Sequence, residues 1–144
     1  MSGGFGIEKI KKIIPHREPF LFLDEIVSLN EGKDVIAKKI VGEDEFWVKG
    51  HFPNFAVCPG VLALEMLAQA GAICILSLKE NEGKIALFGG IKKARFKKQI
   101  LPGDEVILKL KIIKNFGSVG IGKGQAFVKD ELAVSAELTF ALKD

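Results

Sequence analysis

The sequence predicts an α+β fold, one long helix enclosed by a curved, largely antiparallel sheet of about five or six strands. Three observations carry this. Residues 59–80 form a nearly continuous apolar run that opens on Pro-Gly and closes at "NEGK". "EVILKLKII" and "ELAVSAELTFAL" alternate with a period of two, the pattern of strands with one face on a core and one in water. The length of 144 residues, with 48% apolar and 27% charged residues, suits one core in one domain spanning residues 1–144 and excludes a disordered chain.

The elements follow in order. "IEKIKKII" puts apolar residues at 7, 10, 13 and 14, a helical period that Pro15 ends. Residues 20–29, "FLFLDEIVSL", read as a strand leading into the turn "NEGK", and residues 33–41 as its partner. A loop then runs to Pro59, which suits a first helical position because its missing N–H has no partner there in any case. A helix of about twenty residues is a rod of roughly 30 Å, and this one is apolar on nearly every side, so other elements must wrap it. "IALFGGI" begins the wrapping. Val106, Leu108, Leu110 and Ile112 point inward with Lys109 and Lys111 outward, and Leu132, Val134, Ala136, Leu138, Phe140 and Leu142 form a second inward row.

Several functions are excluded or weakened by the same reading. A net charge of +3 does not indicate nucleic acid. "IKKARFKK" carries Lys92, Lys93, Arg95, Lys97 and Lys98, yet one phenylalanine and no tyrosine anywhere make a poor base-stacking platform. That segment is either an edge strand blunted by lysines or a surface for an anionic partner. "GSVGIGKG", residues 117–124, nearly matches a phosphate loop. Gly124 stands where a hydroxyl is required, however, and the following segment reads as strand, so the glycines mark a place where another backbone packs closely. Cys58 and Cys74 lie in apolar surroundings and read as buried free thiols of a reducing compartment; two histidines and two cysteines at these spacings make no metal set. The N-terminal "MSGGFGIEKIKKIIPHREP" lacks an apolar core of signal-peptide length, so a cytoplasmic location is expected. The apolar run is interrupted by Glu65 and Gln69, and a carboxylate in mid-membrane costs about 2.5–3.5 kcal/mol, so a buried helix explains it better than a membrane span.

The candidate chemistry lies in "GHFPNFAVCPGVLALEMLAQ", residues 50–69. His51 sits in a loop that feeds the start of the helix. Glu65 precedes Gln69 by four residues, so both project from one helix face. A histidine base and a protonated carboxyl are the parts needed to remove a proton beside a carbonyl and expel a hydroxyl. Spacing alone leaves a functional and a structural pair equally open. His16, in "PHREPF", is expected to be structural and hydrogen-bonded to backbone.

At this point the residues resemble a family. "IPHREPFLFLDEI", "GHFPNFAVCPGVLALEMLAQAGA", "GIKKARFKKQILPGDEV", "GSVGIGKGQAF" and "ELTFAL" are similar, in order, to blocks of the (3R)-hydroxyacyl-acyl-carrier-protein dehydratases of the FabZ type. The resemblance covers nearly the whole chain and implies the hot-dog fold. It implies a hydro-lyase of fatty-acid biosynthesis that converts (3R)-3-hydroxyacyl-acyl carrier protein to the trans-2-enoyl product, with no cofactor. His51 is then the base, Glu65 the acid, the Gly60 N–H a donor to the thioester oxygen, and Val61 and Phe52 further substrate contacts. Acyl carrier protein is the implied partner, with the segment from Lys92 to Lys98 as its docking surface. A homodimer sharing its active sites, His51 from one subunit meeting Glu65 of the other, is implied as well, with hexamers as trimers of dimers. Asn54, Phe55, Ala56 and Cys58 depart from the common family pattern without removing a catalytic group. Glu65, where related dehydratase-isomerases have aspartate, favours dehydration without isomerisation. A hot-dog thioesterase and a non-catalytic acyl-binding subunit are the competing readings.

Overall fold

The structure, a computed structural model, describes residues 3–144. Its organising element is helix α2, Gly60–Leu76, in which every residue from Met66 to Leu76 is buried. Around it lie β1 (Phe5–Gly6), α1 (Ile7–Ile13), β2 (Glu25–Asn30), β3 (Asp34–Ile40), β4 (Ile85–Phe96), β5 (Glu105–Asn115), β6 (Val119–Val128) and β7 (Glu131–Lys143). The strands form one antiparallel sheet in the order β1-β2-β3-β5-β6-β7-β4. That makes seven strands, more than the sequence suggested, because a two-residue β1 pairs with β2. The sheet touches α2 through β3 to β7, so an element with no polar face finds apolar partners on all its buried sides.

The inward rows are largely those the alternation predicts. Val106, Leu108, Leu110, Val134, Ala136, Leu138 and Phe140 are all buried, while Leu132, Ile112 and Leu142 are partly so. Each fully buried Leu or Phe contributes roughly 1.5–3 kcal/mol. In β6 Ala126 and Val128 point inward together with three glycines, Gly120, Gly122 and Gly124. They face side chains, not the second backbone the sequence suggested: an added Cβ at Gly124 would lie 3.2 Å from both Leu67 methyls, and one at Gly120 would lie 3.3 Å from Ile75 Cδ1. The strand is stripped of side chains where the helix's own side chains press on it.

Two boundaries differ from the sequence reading, each for a local reason. Helix α2 ends at Leu76, one turn before residue 80, because its last carbonyls are taken by other donors. The Gly32 N–H and the Ser77 hydroxyl both reach the Cys74 carbonyl at 2.9 Å, and Asn81 Nδ2 reaches that of Ile75 at 3.0 Å. Gly32 holds φ +75°, a value glycine adopts freely. Residues 20–24 are not strand. Phe22 N–H donates to Gln69 Oε1 at 2.8 Å and Gln69 Nε2 donates to the Phe20 carbonyl at 2.8 Å, so one side chain takes the place of a neighbouring strand.

Gly71 sits where α2 comes closest to β7; an added Cβ would lie 2.4 Å from Cζ of the buried Phe140. Alanine gains about 1 kcal/mol of helix propensity there, but overpacking a closed core costs about 1–3 kcal/mol. Gly71→Ala is therefore expected to lower the melting temperature by a few degrees in differential scanning calorimetry. A rise would show that Phe140 has room to move.

Candidate active site

The loop before α2 fixes His51 at three points. Its N–H donates to the Trp47 carbonyl at 2.9 Å, its carbonyl accepts from Val57 N–H at 2.9 Å, and Nδ1 lies 2.8 Å from the Val57 carbonyl oxygen. A carbonyl only accepts, so Nδ1 carries the proton and Nε2 presents its lone pair. Between these anchors Phe52 and Phe55 exchange backbone hydrogen bonds around Pro53 and Asn54, a turn that includes Asn54 and Phe55, two of the residues that depart from the family pattern. The His51–Phe52 peptide is cis, and the Phe52 ring stacks on the imidazole with centroids 4.2 Å apart. Upstream the loop is braced by a largely buried ion pair. Glu45 Oε2 accepts from Lys39 Nζ at 3.1 Å and from the Gly42 N–H at 3.1 Å.

Helix α2 begins at Pro59 with no side-chain cap. The first donor into the helix is Leu62, to the Pro59 carbonyl at 2.9 Å, so the N–H groups of Gly60 and Val61 stand ahead of the helical ladder. They carry the positive end of the helix dipole. Beside them is a cleft of about 390 Å³ lined by Val57, Cys58, Gly60, Ala63, Phe96 and Ile100, with Lys97 and Lys98 at its edge. Phe96 covers the helix start so closely that a Cβ at position 60 would lie 2.7 Å from its ring.

Glu65 lies on the same helix, facing a second, smaller cavity of about 190 Å³. Its Oε2 accepts from Gln69 Nε2 at 3.0 Å and lies 3.5 Å from Nε2 of His16. The remaining walls are apolar: Ala68, Ala72, Ala86, Leu87, Phe88 and Phe140. His16 is carried by the segment between α1 and β2. Arg17 caps α1 there by donating to the carbonyls of Ile14 at 3.0 Å and Lys11 at 2.9 Å. The backbone hydrogen bond expected for His16 is absent among the described residues. Its ring meets Glu65 instead, and its Nδ1 is buried without a partner. No spacing rule joins a histidine before the sheet to a glutamate in the helix, so this contact had no signal in the sequence.

The same geometry sorts the other candidates. Val61 and Phe52 are exposed, at 70% and 52%. Within one chain the polar contacts of His51 run to Trp47 and Val57 and those of Glu65 to Gln69 and His16, with no direct link between the two. The basic segment is divided. Lys97 and Lys98 border the cleft at Gly60, and Lys98 pairs with Glu131 at 3.3 Å. Lys93 lines a separate cleft of about 660 Å³ that also includes Lys109, Lys111 and Lys123. That larger space contains neither His51 nor Glu65.

Residues 14–137 match the family described as the FabA-like domain. The chain belongs to the FabA-like family. It is 53% identical over 140 residues to a Staphylococcus epidermidis protein named 3-hydroxyacyl-[acyl-carrier-protein] dehydratase FabZ, covering 97% of each chain. A Staphylococcus aureus protein of the same name is 51% identical, covering 97% of this chain and 96% of that one. Among solved structures, the dehydratase heterocomplex ApeI:P of Xenorhabdus doucetiae superposes with a TM-score of 0.81 at 16% identity, covering 94% of this chain and 91% of that one. An uncharacterized Pyrococcus horikoshii protein gives 0.71 at 15% identity, covering 92% of both. At these identities the superpositions speak for the fold alone, and that fold is the hot-dog, a curved antiparallel sheet around a central helix.

Two predictions follow from the packing of this FabA-like site. Gln69→Met keeps volume but leaves the Phe22 N–H and the Phe20 carbonyl without partners at about 1–3 kcal/mol each. Urea denaturation is expected to show a loss of roughly 2–6 kcal/mol, and an unchanged midpoint would contradict the bridging role. Burial pushes the thiols of Cys58 and Cys74 up to about 12 from the ordinary value of 9. A disulfide-exchange reagent at pH 8 should therefore label neither thiol quickly in the native protein and both once it is denatured.

Proposed function

We propose that this chain is a hydro-lyase that eliminates water from (3R)-3-hydroxyacyl groups carried by acyl carrier protein, giving the trans-2-enoyl thioester. The observation that carries the reading is that the chain is about half identical, over nearly its whole length, to proteins named for this reaction, and it holds a histidine and a glutamate whose own contacts suit a base and an acid. With Nδ1–H committed to the Val57 carbonyl, His51 offers Nε2 to the C2 proton, which the thioester carbonyl acidifies. Glu65 protonates the C3 hydroxyl as it leaves. The oxygen that gains charge as C2 loses its proton accepts from the Gly60 N–H, with Val61 next in line, at the positive end of α2. The apolar lining of the cleft and the cavity suits an acyl chain.

The chemistry asks for His51 and Glu65 together, and we assign them to different subunits of a homodimer. Strand β4 supports this. It is the sheet's last strand, and Ile85, Leu87, Phe88 and Ile91 along it are 37–48% exposed. An exposed apolar edge is a surface for another strand. Leu87 and Phe88 also wall the Glu65 cavity, so a second copy seated on β4 comes close to Glu65. Association of such dimers into hexamers belongs to the same reading. The carrier, with its phosphopantetheine phosphate, is assigned to the basic border of the Gly60 cleft at Lys97 and Lys98, with Lys92, Lys93 and Arg95 further along β4. Two buried free thiols fit a reducing, cytoplasmic setting, and no helix among the described residues is long and apolar enough to cross a membrane.

Crotonyl thioester hydration followed by loss of enoyl absorbance, with free thiol measured in parallel, tests the reaction. Enoyl loss without thiol release is expected; thiol release alone would make the protein a thioesterase. His51→Ala and Glu65→Gln should each lower kcat by about 10²–10⁴-fold. If each site takes one residue from each chain, mixing the two inactive variants with subunit exchange rebuilds one intact site in every mixed dimer. That amounts to about a quarter of wild-type activity. No recovery despite demonstrated exchange would place both residues of a site in one subunit.

A further inference from the structure

We propose that His16 is a positioning residue for the acid: as a neutral imidazole protonated on Nε2 it donates to Oε2 of Glu65, which leaves Oε1 as the oxygen that carries the transferable proton. The inference rests on Glu65 being the acid and goes beyond it, because it says which oxygen acts and what selects it.

The hydrogen-bond inventory leads there step by step. Gln69 cannot be turned over: its Oε1 accepts the Phe22 N–H, so its amide nitrogen is the group facing the Phe20 carbonyl and Glu65 Oε2. A donor therefore already points at Oε2. His16 Nε2 lies on the same oxygen at 3.5 Å, and the ring has no other polar neighbour among the cavity walls. His16 Nδ1 is buried and unpartnered. A proton on Nδ1 would be a buried N–H without an acceptor, the less tolerated kind of orphan, and a doubly protonated ring would suffer the same fault. The tautomer with its single N–H on Nε2 aims that hydrogen at the one acceptor within reach. A distance of 3.5 Å is long for such a bond, and contacts of this kind in substrate-free catalytic sites commonly tighten when substrate binds.

Two donors converging on Oε2 leave it no good position for a hydrogen of its own. Oε1 has no protein partner among the described residues, so the carboxyl hydrogen belongs on Oε1. When Glu65 gives up that proton, the charge left behind is received by the two donors on Oε2. Without His16, the hydrogen can also sit on Oε2, and a share of the enzyme has its acid proton on the oxygen turned from substrate.

The test uses His16→Leu, which removes the donor, and His16→Gln, whose amide nitrogen can reach the same place, each also made with Glu65→Gln. Crotonyl thioester turnover is measured after circular dichroism shows native helix content. His16→Leu is expected to lower kcat about tenfold with KM within about twofold, and His16→Gln to recover most of the rate. In the Glu65→Gln background, where no carboxyl proton remains to be placed, His16→Leu should change the residual rate by less than about twofold. An equal tenfold loss in that background overturns the proposal, as does a folded His16→Gln no faster than His16→Leu. A Glu65→Gln single variant with wild-type kcat overturns the acid assignment itself, so the two failures are distinguishable. Should His16→Leu not fold, His16→Ala takes its place in the two backgrounds: a loss in kcat of the same size in both contradicts the positioning role.

Discussion

The side chain of Gln69 joins the two halves of this structure. It is fully buried in the middle of α2, where an unsatisfied amide would be costly, and it settles all but one of its hydrogen-bonding positions. Two of its bonds hold residues 20–22, a segment that has no strand beside it, and the third reaches Glu65. Docking that segment also anchors the chain just after His16. The helix, the approach from α1 and the carboxyl group are thus fixed relative to one another by one residue. Replacing it with an apolar side chain would fill the space and lose the registration.

The two ends of α2 show what the fold closes and what it leaves open. At Leu76 the last carbonyls are taken by Gly32, Ser77 and Asn81, and the chain turns away. At Gly60 no side chain among the described residues caps the helix, although a serine, threonine or aspartate at position 59 could have done so. Phe96 screens the spot with a ring that offers no hydrogen-bond acceptor. An end left uncapped next to a cleft keeps its donors for whatever enters, and a cap would have stabilised the helix while consuming them.

Much of this was legible in the sequence because it follows from periodicity. The alternation in "EVILKLKII" and "ELAVSAELTFAL" marked the inward rows, and an all-apolar helix had to be enclosed. His51 and Glu65 stood out as polar residues in unusual surroundings. What could not be read depends on contacts between distant segments. Residues 20–24 are apolar enough for a strand and are kept from being one by a side chain far along the chain. The end of α2 is set by donors from residues 32 and 81, which propensity does not register. His16 looked like a routine loop histidine because the polar group its ring meets, Glu65, arrives through the fold.

In the proposed mechanism the base and the acid are prepared in the same way although they sit on different supports. At His51 a main-chain carbonyl binds one nitrogen and so decides that the other is the base. At Glu65 a locked amide donates to Oε2 and the His16 imidazole lies 3.5 Å from the same oxygen, so on the positioning proposed for His16 the other oxygen holds the proton. In each case a group with two equivalent-looking atoms is made unsymmetrical by a partner remote from the reacting atoms. The supports are rigid: a loop pinned by Trp47 and Val57, and a helix buried from Met66 onward. On that proposal the proton positions are selected before substrate arrives, and the His16 contact is what remains to tighten. This also explains why a buried polar cluster persists in a core that is otherwise apolar. Beyond the stability that Gln69 contributes by holding residues 20–22, the cluster's return lies in the direction of one hydrogen.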